Sequence, residues 1–156
     1  MASMALLIIM AQACNRSGKD HMQTEHHHEE HAEGETHDHE SPAEDMLTLN
    51  NGAKWQADEP TNRNAGVINS IGENFLKNNN RTLETYNALG TDISQAINTM
   101  IRECTMKGEA DQALHYWFAP MLQRAGTLKN ATDTTGLSDI TSEMIERMRM
   151  YQDYFE

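Results

Sequence analysis

The feature that most constrains the fold is the spacing of apolar residues, which recur at steps of three and four in four stretches after residue 61. Residues with this spacing lie on one face of an α-helix. The breaks between stretches are short, such as Asn78–Asn80 and the turn near Gly108, so successive helices are expected to run antiparallel. The sequence therefore predicts an all-α fold, an up-down-up-down four-helix bundle, over residues 46–156. The four predicted core faces consist of Val67, Ile68, Ile71, Phe75 and Leu76; Leu83, Tyr86, Leu89, Ile93, Ile97, Met100, Ile101 and Cys104; Leu114, Trp117, Phe118, Met121, Leu122, Ala125 and Leu128; and Leu137, Ile140, Met144, Met148, Tyr151 and Phe155.

A turn signal precedes the first predicted helix. Apolar residues flank the dipeptide Asn51-Gly52, and Asn-Gly favours the type I′ turn of a tight hairpin. We expect a small hairpin or extended clip here, with Trp55 packed on the end of the bundle. Asp58 and Pro60 follow, and an acidic residue and a proline are typical of a helix start.

Most of the histidines are concentrated in one short stretch, where they alternate with acidic residues. Imidazole is the commonest protein ligand for divalent transition metals, and carboxylates add anionic oxygen beside it. We expect loose binding of Cu²⁺, Zn²⁺ or Ni²⁺, with release below about pH 6.5 because only neutral histidine binds. A solvated linker is the alternative, and so is an expression tag, although Glu and Asp interrupt the histidines. The candidate metal ligands of this stretch are His21, His26, His27, His28, His31, His37 and His39.

Negative charge is concentrated in the same part of the chain. The formal net charge is −12, and residues 15–45 contain ten acidic and two basic side chains. This balance repels phosphate backbones and attracts cations, so we expect no nucleic-acid partner. Residues 15–45 also contain almost no aliphatic side chains, and such a composition is typical of a disordered tether.

The N-terminus contains an apolar run, residues 5–10, that ends in Ala11-Gln12-Ala13-Cys14. The run is shorter than the roughly 20 residues that span a bilayer. It resembles a bacterial lipoprotein signal peptide, which implies cleavage after residue 13 and lipidation of Cys14. Simple secretion and a cytosolic location are the alternatives. The expected organisation is a signal peptide (1–13), a lipidated cysteine with a His-rich tether (14–45) and a helical bundle (46–156).

A second group of possible metal ligands flanks the turn at Gly108. Cys104 ends the second predicted helix, and Asp111 and His115 lie one helical turn apart on the third. The turn is expected to bring them to the same end of the bundle. A thiolate is a soft ligand suited to Cu(I), and imidazole is compatible with it. Ordinary packing of the cysteine and a singly hydrogen-bonded histidine is the alternative.

Several short motifs of this region carry a resemblance to a known group. They are Leu49-Asn-Asn-Gly-Ala-Lys-Trp55, Cys104-Thr-Met-Lys-Gly-Glu109 and Leu114-His-Tyr-Trp117. Over residues 46–156 the chain resembles a group of small uncharacterised lipoproteins from Bacteroidetes, whose suspected role is heavy-metal handling. The resemblance implies a helical bundle with Cys104, Met106 and His115 as ligands. Further histidines of that group correspond to Asp111, Ala119 and Met121 here.

No catalytic motif stands out. The chain has no nucleophile elbow, no glycine-rich phosphate loop and no His-Glu-x-x-His, so we do not expect an enzyme. The sequence predicts a membrane-anchored lipoprotein of the bacterial cell envelope that faces the periplasm and binds or buffers transition metals, as an accessory to a metal efflux component. The alternative is a structural or protein-interaction bundle with the tether as a spacer.

Overall fold

A computed structural model describes residues 46–156. These residues form an all-α domain, as predicted, with four long helices and one short C-terminal helix. The predicted signal peptide, Cys14, the tether and its seven histidines lie outside the described residues. No helix in the described part is long and apolar enough to cross a membrane. The helices are α1 (Glu59–Lys77), α2 (Leu83–Glu103), α3 (Glu109–Lys129), α4 (Leu137–Arg149) and α5 (Tyr151–Tyr154).

The starts of the helices follow their local sequence. Asp58 precedes α1, and its carboxylate accepts a hydrogen bond of 2.8 Å from the Thr61 backbone N–H. This satisfies one of the backbone donors that the first turn of a helix leaves free. The predicted start of the first helix is therefore correct. Helices α3 and α4 instead follow glycines with positive φ, 68° at Gly108 and 72° at Gly136, a backbone conformation that glycine adopts without strain.

The four long helices surround one core, in which α1 and α3 each contact both α2 and α4. The helical spacing predicted most of this core correctly, but three residues that it assigned to the core are exposed. Val67, Leu76 and Ile101 are 48%, 43% and 41% exposed. In each case an apolar residue next to it in the sequence faces the core instead, because the side chains of consecutive helical residues point about 100° apart. The largest fully buried apolar side chains are Trp117, Ile68, Ile93, Ile97, Met100, Leu114, Met121, Leu128, Met144 and Met148.

Helices α2 and α3 approach closely at Gly90. A Cβ atom at this position would lie 2.5 Å from the Ala125 carbonyl oxygen and 2.5 Å from the Lys129 nitrogen. Both are backbone atoms and cannot move aside as a side chain could. The absence of a side chain at Gly90 therefore sets the spacing of these two helices.

A buried arginine compensates for the proline within α3. Pro120 has no N–H, so the Tyr116 carbonyl four residues earlier loses its helical donor. The Arg147 guanidinium donates to the Tyr116 carbonyl over 2.7 Å and to the Trp117 carbonyl over 3.3 Å. In return, the Trp117 indole donates to the Arg147 carbonyl over 2.8 Å. These bonds join α3 to α4 and satisfy polar groups that would be costly to bury unpaired.

Residues 46–57, before α1, form a clip where the sequence predicts one around Asn51 and Gly52. Asn50 and Ala53 exchange two backbone hydrogen bonds of 2.8 and 2.9 Å. Asn51 and Gly52 have φ values of 50° and 88°, as a type I′ turn requires. The predicted turn is confirmed.

The clip also pairs with the C-terminus, which the sequence did not predict. The Trp55 N–H donates to the Tyr154 carbonyl over 2.8 Å, and the Glu156 N–H donates to the Trp55 carbonyl over 3.0 Å. The Ala57 N–H donates to the Glu156 carbonyl over 2.9 Å. The two ends of the described domain are thus joined by backbone hydrogen bonds.

Candidate functional site

The candidate site lies at the junction of α2 and α3. Cys104 is the residue that follows α2, and its backbone N–H donates to the Met100 carbonyl over 2.8 Å. Four further residues lead to α3, which carries Asp111 in its first turn and His115 in its second. The short connection therefore brings all three side chains to the same end of the domain.

The Asp111 carboxylate lies between the thiol and the imidazole. The Cys104 thiol donates a weak hydrogen bond to Asp111 Oδ1 over 3.9 Å. The same oxygen is 3.7 Å from His115 Nδ1. Asp111 Oδ1 therefore lies near both a possible thiolate ligand and a possible imidazole ligand. Both distances are longer than those of strong hydrogen bonds.

The position of His115 decides which of its nitrogens can bind a metal. Its Nδ1 is 2.9 Å from the Asp111 backbone carbonyl, which can only accept, so Nδ1 carries the proton when this bond forms. The lone pair of the neutral ring is then on Nε2. The side chain is 49% exposed and its ring contacts Phe118, with centroids 4.8 Å apart. His115 therefore offers Nε2 as its metal-binding nitrogen while this hydrogen bond is kept.

Met106 is the remaining predicted ligand of the bundle, and it packs partly buried against the hydrophobic core. His115 is the only histidine within residues 46–156. No group of three or more His, Cys, Asp or Glu side chains suited to a metal ion is found within that range. Cys104 and His115 each lie near Asp111 Oδ1, at 3.9 and 3.7 Å, without forming such a group, and Met106 packs separately against the core.

A second carboxylate at this end, Asp58, was identified from the sequence only as a helix start. Its Oδ2 accepts hydrogen bonds from the Thr105 N–H over 2.6 Å and from the Thr105 hydroxyl over 2.7 Å. Partial burial alone would raise the pKa of Asp58. The hydrogen bonds from Thr61 and Thr105 outweigh this effect and lower the pKa to about 2. Asp58 therefore ties the connection between α2 and α3 to the start of α1.

Glu103 connects the end of α2 to α1 in the same way. Its Oε2 accepts from the Asn64 side-chain amide over 2.8 Å and from the Arg63 guanidinium over 2.9 Å. These bonds, the one from Asn64 first, lower the pKa of Glu103. Neither partner could be inferred from the sequence, because each lies about 40 residues away from Glu103.

A buried tyrosine completes this end of the domain. Burial raises the pKa of the Tyr151 hydroxyl, and the nearby Asp58 carboxylate acts in the same direction. The hydroxyl donates to Asn62 Oδ1 over 2.8 Å, and the ring lies 4.8 Å from those of Trp117 and Phe155. Cys104 is partly buried against the core that contains this aromatic cluster, and its thiol faces the Asp111 carboxylate.

Comparisons with known proteins supply no relative for this site: no family model, no curated protein and no solved structure matches the chain.

Proposed function

We propose that this protein binds or buffers transition-metal ions, chiefly through the seven histidines between residues 21 and 39. The observation that carries the proposal is their concentration among acidic residues. Neutral imidazoles supply nitrogen ligands for Cu²⁺, Zn²⁺ or Ni²⁺, and the surrounding carboxylates attract the cation. Metal release on acidification is expected because protonated imidazole cannot coordinate.

The folded domain contributes a weaker, secondary site in this proposal. The proximity of Cys104, Asp111 and His115 supports it, with distances of 3.9 and 3.7 Å to Asp111 Oδ1. While His115 keeps its bond to the Asp111 carbonyl, only its Nε2 can bind an ion, and binding through Nδ1 would break that bond. No group of three or more His, Cys, Asp or Glu side chains suited to a metal ion lies within residues 46–156, so this site is expected to be weaker than the histidine-rich segment. Met106 would need to leave its packing environment to take part.

The cellular setting is part of the same proposal. Lipidation of Cys14 would anchor the chain to a bacterial membrane, facing the periplasm, and residues 14–45 would act as a flexible tether. An up-down-up-down order of the helices is supported by connections of five to seven residues and by the contacts between successive helices. A metal efflux component is the proposed protein partner, and no enzymatic activity is proposed. The Bacteroidetes lipoproteins that the sequence resembles would share this role.

The test compares two full-length proteins, the natural chain and a variant with all seven histidines replaced by Asn. Asparagine keeps the polarity and approximate size of the side chain but removes the imidazole. Calorimetric titration with Zn²⁺, Cu²⁺ and Ni²⁺ at about pH 7.5 should give micromolar binding to the natural chain and a large loss in the variant. At about pH 5.5 the natural chain should bind far more weakly, because its histidines are then mostly protonated.

A His115→Asn variant serves as the matched control, since it removes one imidazole from the folded domain and leaves the segment unchanged. It should retain most of the binding. Equal binding by the natural chain and the seven-histidine variant would refute the proposal. Absence of micromolar binding in both would favour the alternative, a non-catalytic interaction module in which the tether is a spacer.

A further inference from the structure

An open groove of about 370 Å³ lies between the clip and α3. The clip contributes Met46, Leu49 and Trp55 together with the polar residues Thr48, Asn50 and Asn51, and α3 contributes Glu109, Gln112, Ala113 and Tyr116. A volume of this size is at the lower end of the range for small-molecule sites. The groove contains none of the histidines and does not include Cys104, so it is independent of the proposed metal sites.

Two half-buried aromatic side chains line the groove, Trp55 and Tyr116. The Trp55 indole donates to the Thr48 carbonyl over 2.7 Å, and the Trp55 backbone is paired with the C-terminus. Both contacts fix the ring in place before any ligand arrives. Fixed aromatic walls favour ligands that are apolar or cationic, because the face of an aromatic ring attracts positive charge.

The charge of the groove favours a cation over a neutral ligand. Glu109 is the one charged residue among those that line it, and none of them is basic. The nearest lysine of the clip, Lys54, is not part of the lining, and its ammonium donates to the Gln152 carbonyl. The positive end of the α3 dipole amounts to about half a charge, so it offsets only part of the charge of Glu109 in the first turn.

We infer that this groove binds a small organic cation, an ammonium group on a short apolar body. The ammonium would lie near the Glu109 carboxylate and the aromatic rings, and the apolar body would contact Met46 and Leu49, which are 50% and 40% exposed. The sequence supports the same preference, because Met46 directly follows a stretch with a large excess of acidic residues. Such charge draws cations toward this end of the chain.

The test uses butylammonium as the probe, followed by the indole N–H signals of the full-length protein in two-dimensional NMR. A Trp55→Phe variant assigns the Trp55 signal, and buried Trp117 serves as the internal reference. Butylammonium should shift the Trp55 signal saturably at millimolar concentration and leave that of Trp117 in place. 1-Butanol, with the same body and no charge, should bind at least about threefold more weakly, and butyrate should not bind.

A charge-neutral variant makes the test specific. Glu109→Gln should weaken butylammonium binding about threefold, as expected for an exposed ion pair. Glu84→Gln is the matched control, because Glu84 is also an exposed glutamate in the first turn of a helix. It lies at the far end of α2, about 30 Å along that helix from Glu103, where α2 ends and the connection to α3 begins. The inference fails if the Trp55 signal does not move, if butanol and butylammonium bind equally, or if Glu109→Gln has no more effect than Glu84→Gln.

Discussion

Two carboxylates at the same end of the domain, Asp58 and Asp111, differ in the hydrogen bonds that they accept. Asp58 accepts three hydrogen bonds of 2.6 to 2.8 Å, two of them from backbone N–H groups. Asp111 has only longer contacts through its carboxylate, 3.9 Å to the Cys104 thiol and 3.7 Å to the His115 ring. The hydrogen bonds of Asp58 stabilise the fold and occupy its carboxylate. The Asp111 carboxylate has no such short bonds, so it is available to bind a metal ion.

The largest difference between the two carboxylates should appear in stability. Asp58→Ala removes the cap of α1 and both bonds from Thr105, and we expect it to lower the free energy of unfolding by about 2–3 kcal/mol. Asp111→Ala should change it by less than about 0.5 kcal/mol, as is usual for residues without strong partners. Urea denaturation followed by circular dichroism measures both. Similar losses in the two variants would contradict the contrast.

The next effect is the response of stability to acid. The pKa of Asp58 is about 2 in the folded protein, against 3.8 for an aspartate in an unfolded chain, so its contribution to stability is complete above pH 3.8. It is lost as the pH falls through about 2, because the unfolded chain takes up the proton first. Urea midpoints measured from about pH 5 down to about pH 2 should fall less steeply in Asp58→Asn than in the natural chain. Parallel curves would show that other groups govern the acid response.

A smaller loss should follow from the partner of Asp58. Thr105→Val removes the hydroxyl that donates over 2.7 Å but keeps the shape of the side chain and the backbone donor. We expect a loss of about 1 kcal/mol in the free energy of unfolding. Thr132→Val, in the exposed loop between α3 and α4, is the control and should have little effect. If Thr105→Val is also neutral, the hydroxyl bond does not contribute to the connection between α2 and α3.

The smallest effect concerns Asp111 as a ligand. In the variant without the seven histidines, Asp111→Asn should weaken the residual Zn²⁺ binding about threefold, which corresponds to less than about 1 kcal/mol. Asp139→Asn, a similarly placed exchange in the first turn of α4, should leave it unchanged. An equal effect of both exchanges would mean that only the overall charge matters and that Asp111 is not a specific ligand.

The contrast also marks how far the sequence could predict this molecule. The spacing of apolar residues, the type I′ turn at Asn51 and Gly52 and the start of α1 at Asp58 are local properties, and local chemistry was sufficient for them. The burial error at Val67, Leu76 and Ile101 arose because each forms a pair with an adjacent apolar residue, and spacing alone does not say which of the two points inward.

Long-range contacts were not predictable in the same way. The bonds of Asp58 to Thr105, of Glu103 to Asn64 and of the clip to the C-terminus join residues about 40 to 100 positions apart. No periodic pattern encodes these pairings, since they depend on how the helices are arranged. The proximity of Cys104 and Asp111 was predictable, because the short connection at Gly108 must place the end of α2 close to the start of α3.

The most direct test of the central claim is the order in which the histidines respond to metal. Zn²⁺ added below one equivalent to the full-length protein should shift the imidazole NMR signals of His21 through His39 first. The signal of His115 should follow only at higher metal, and the amide of Thr105, which Asp58 holds, should not move. A shift of His115 before the others, or no shift of the seven histidines at all, would contradict the account.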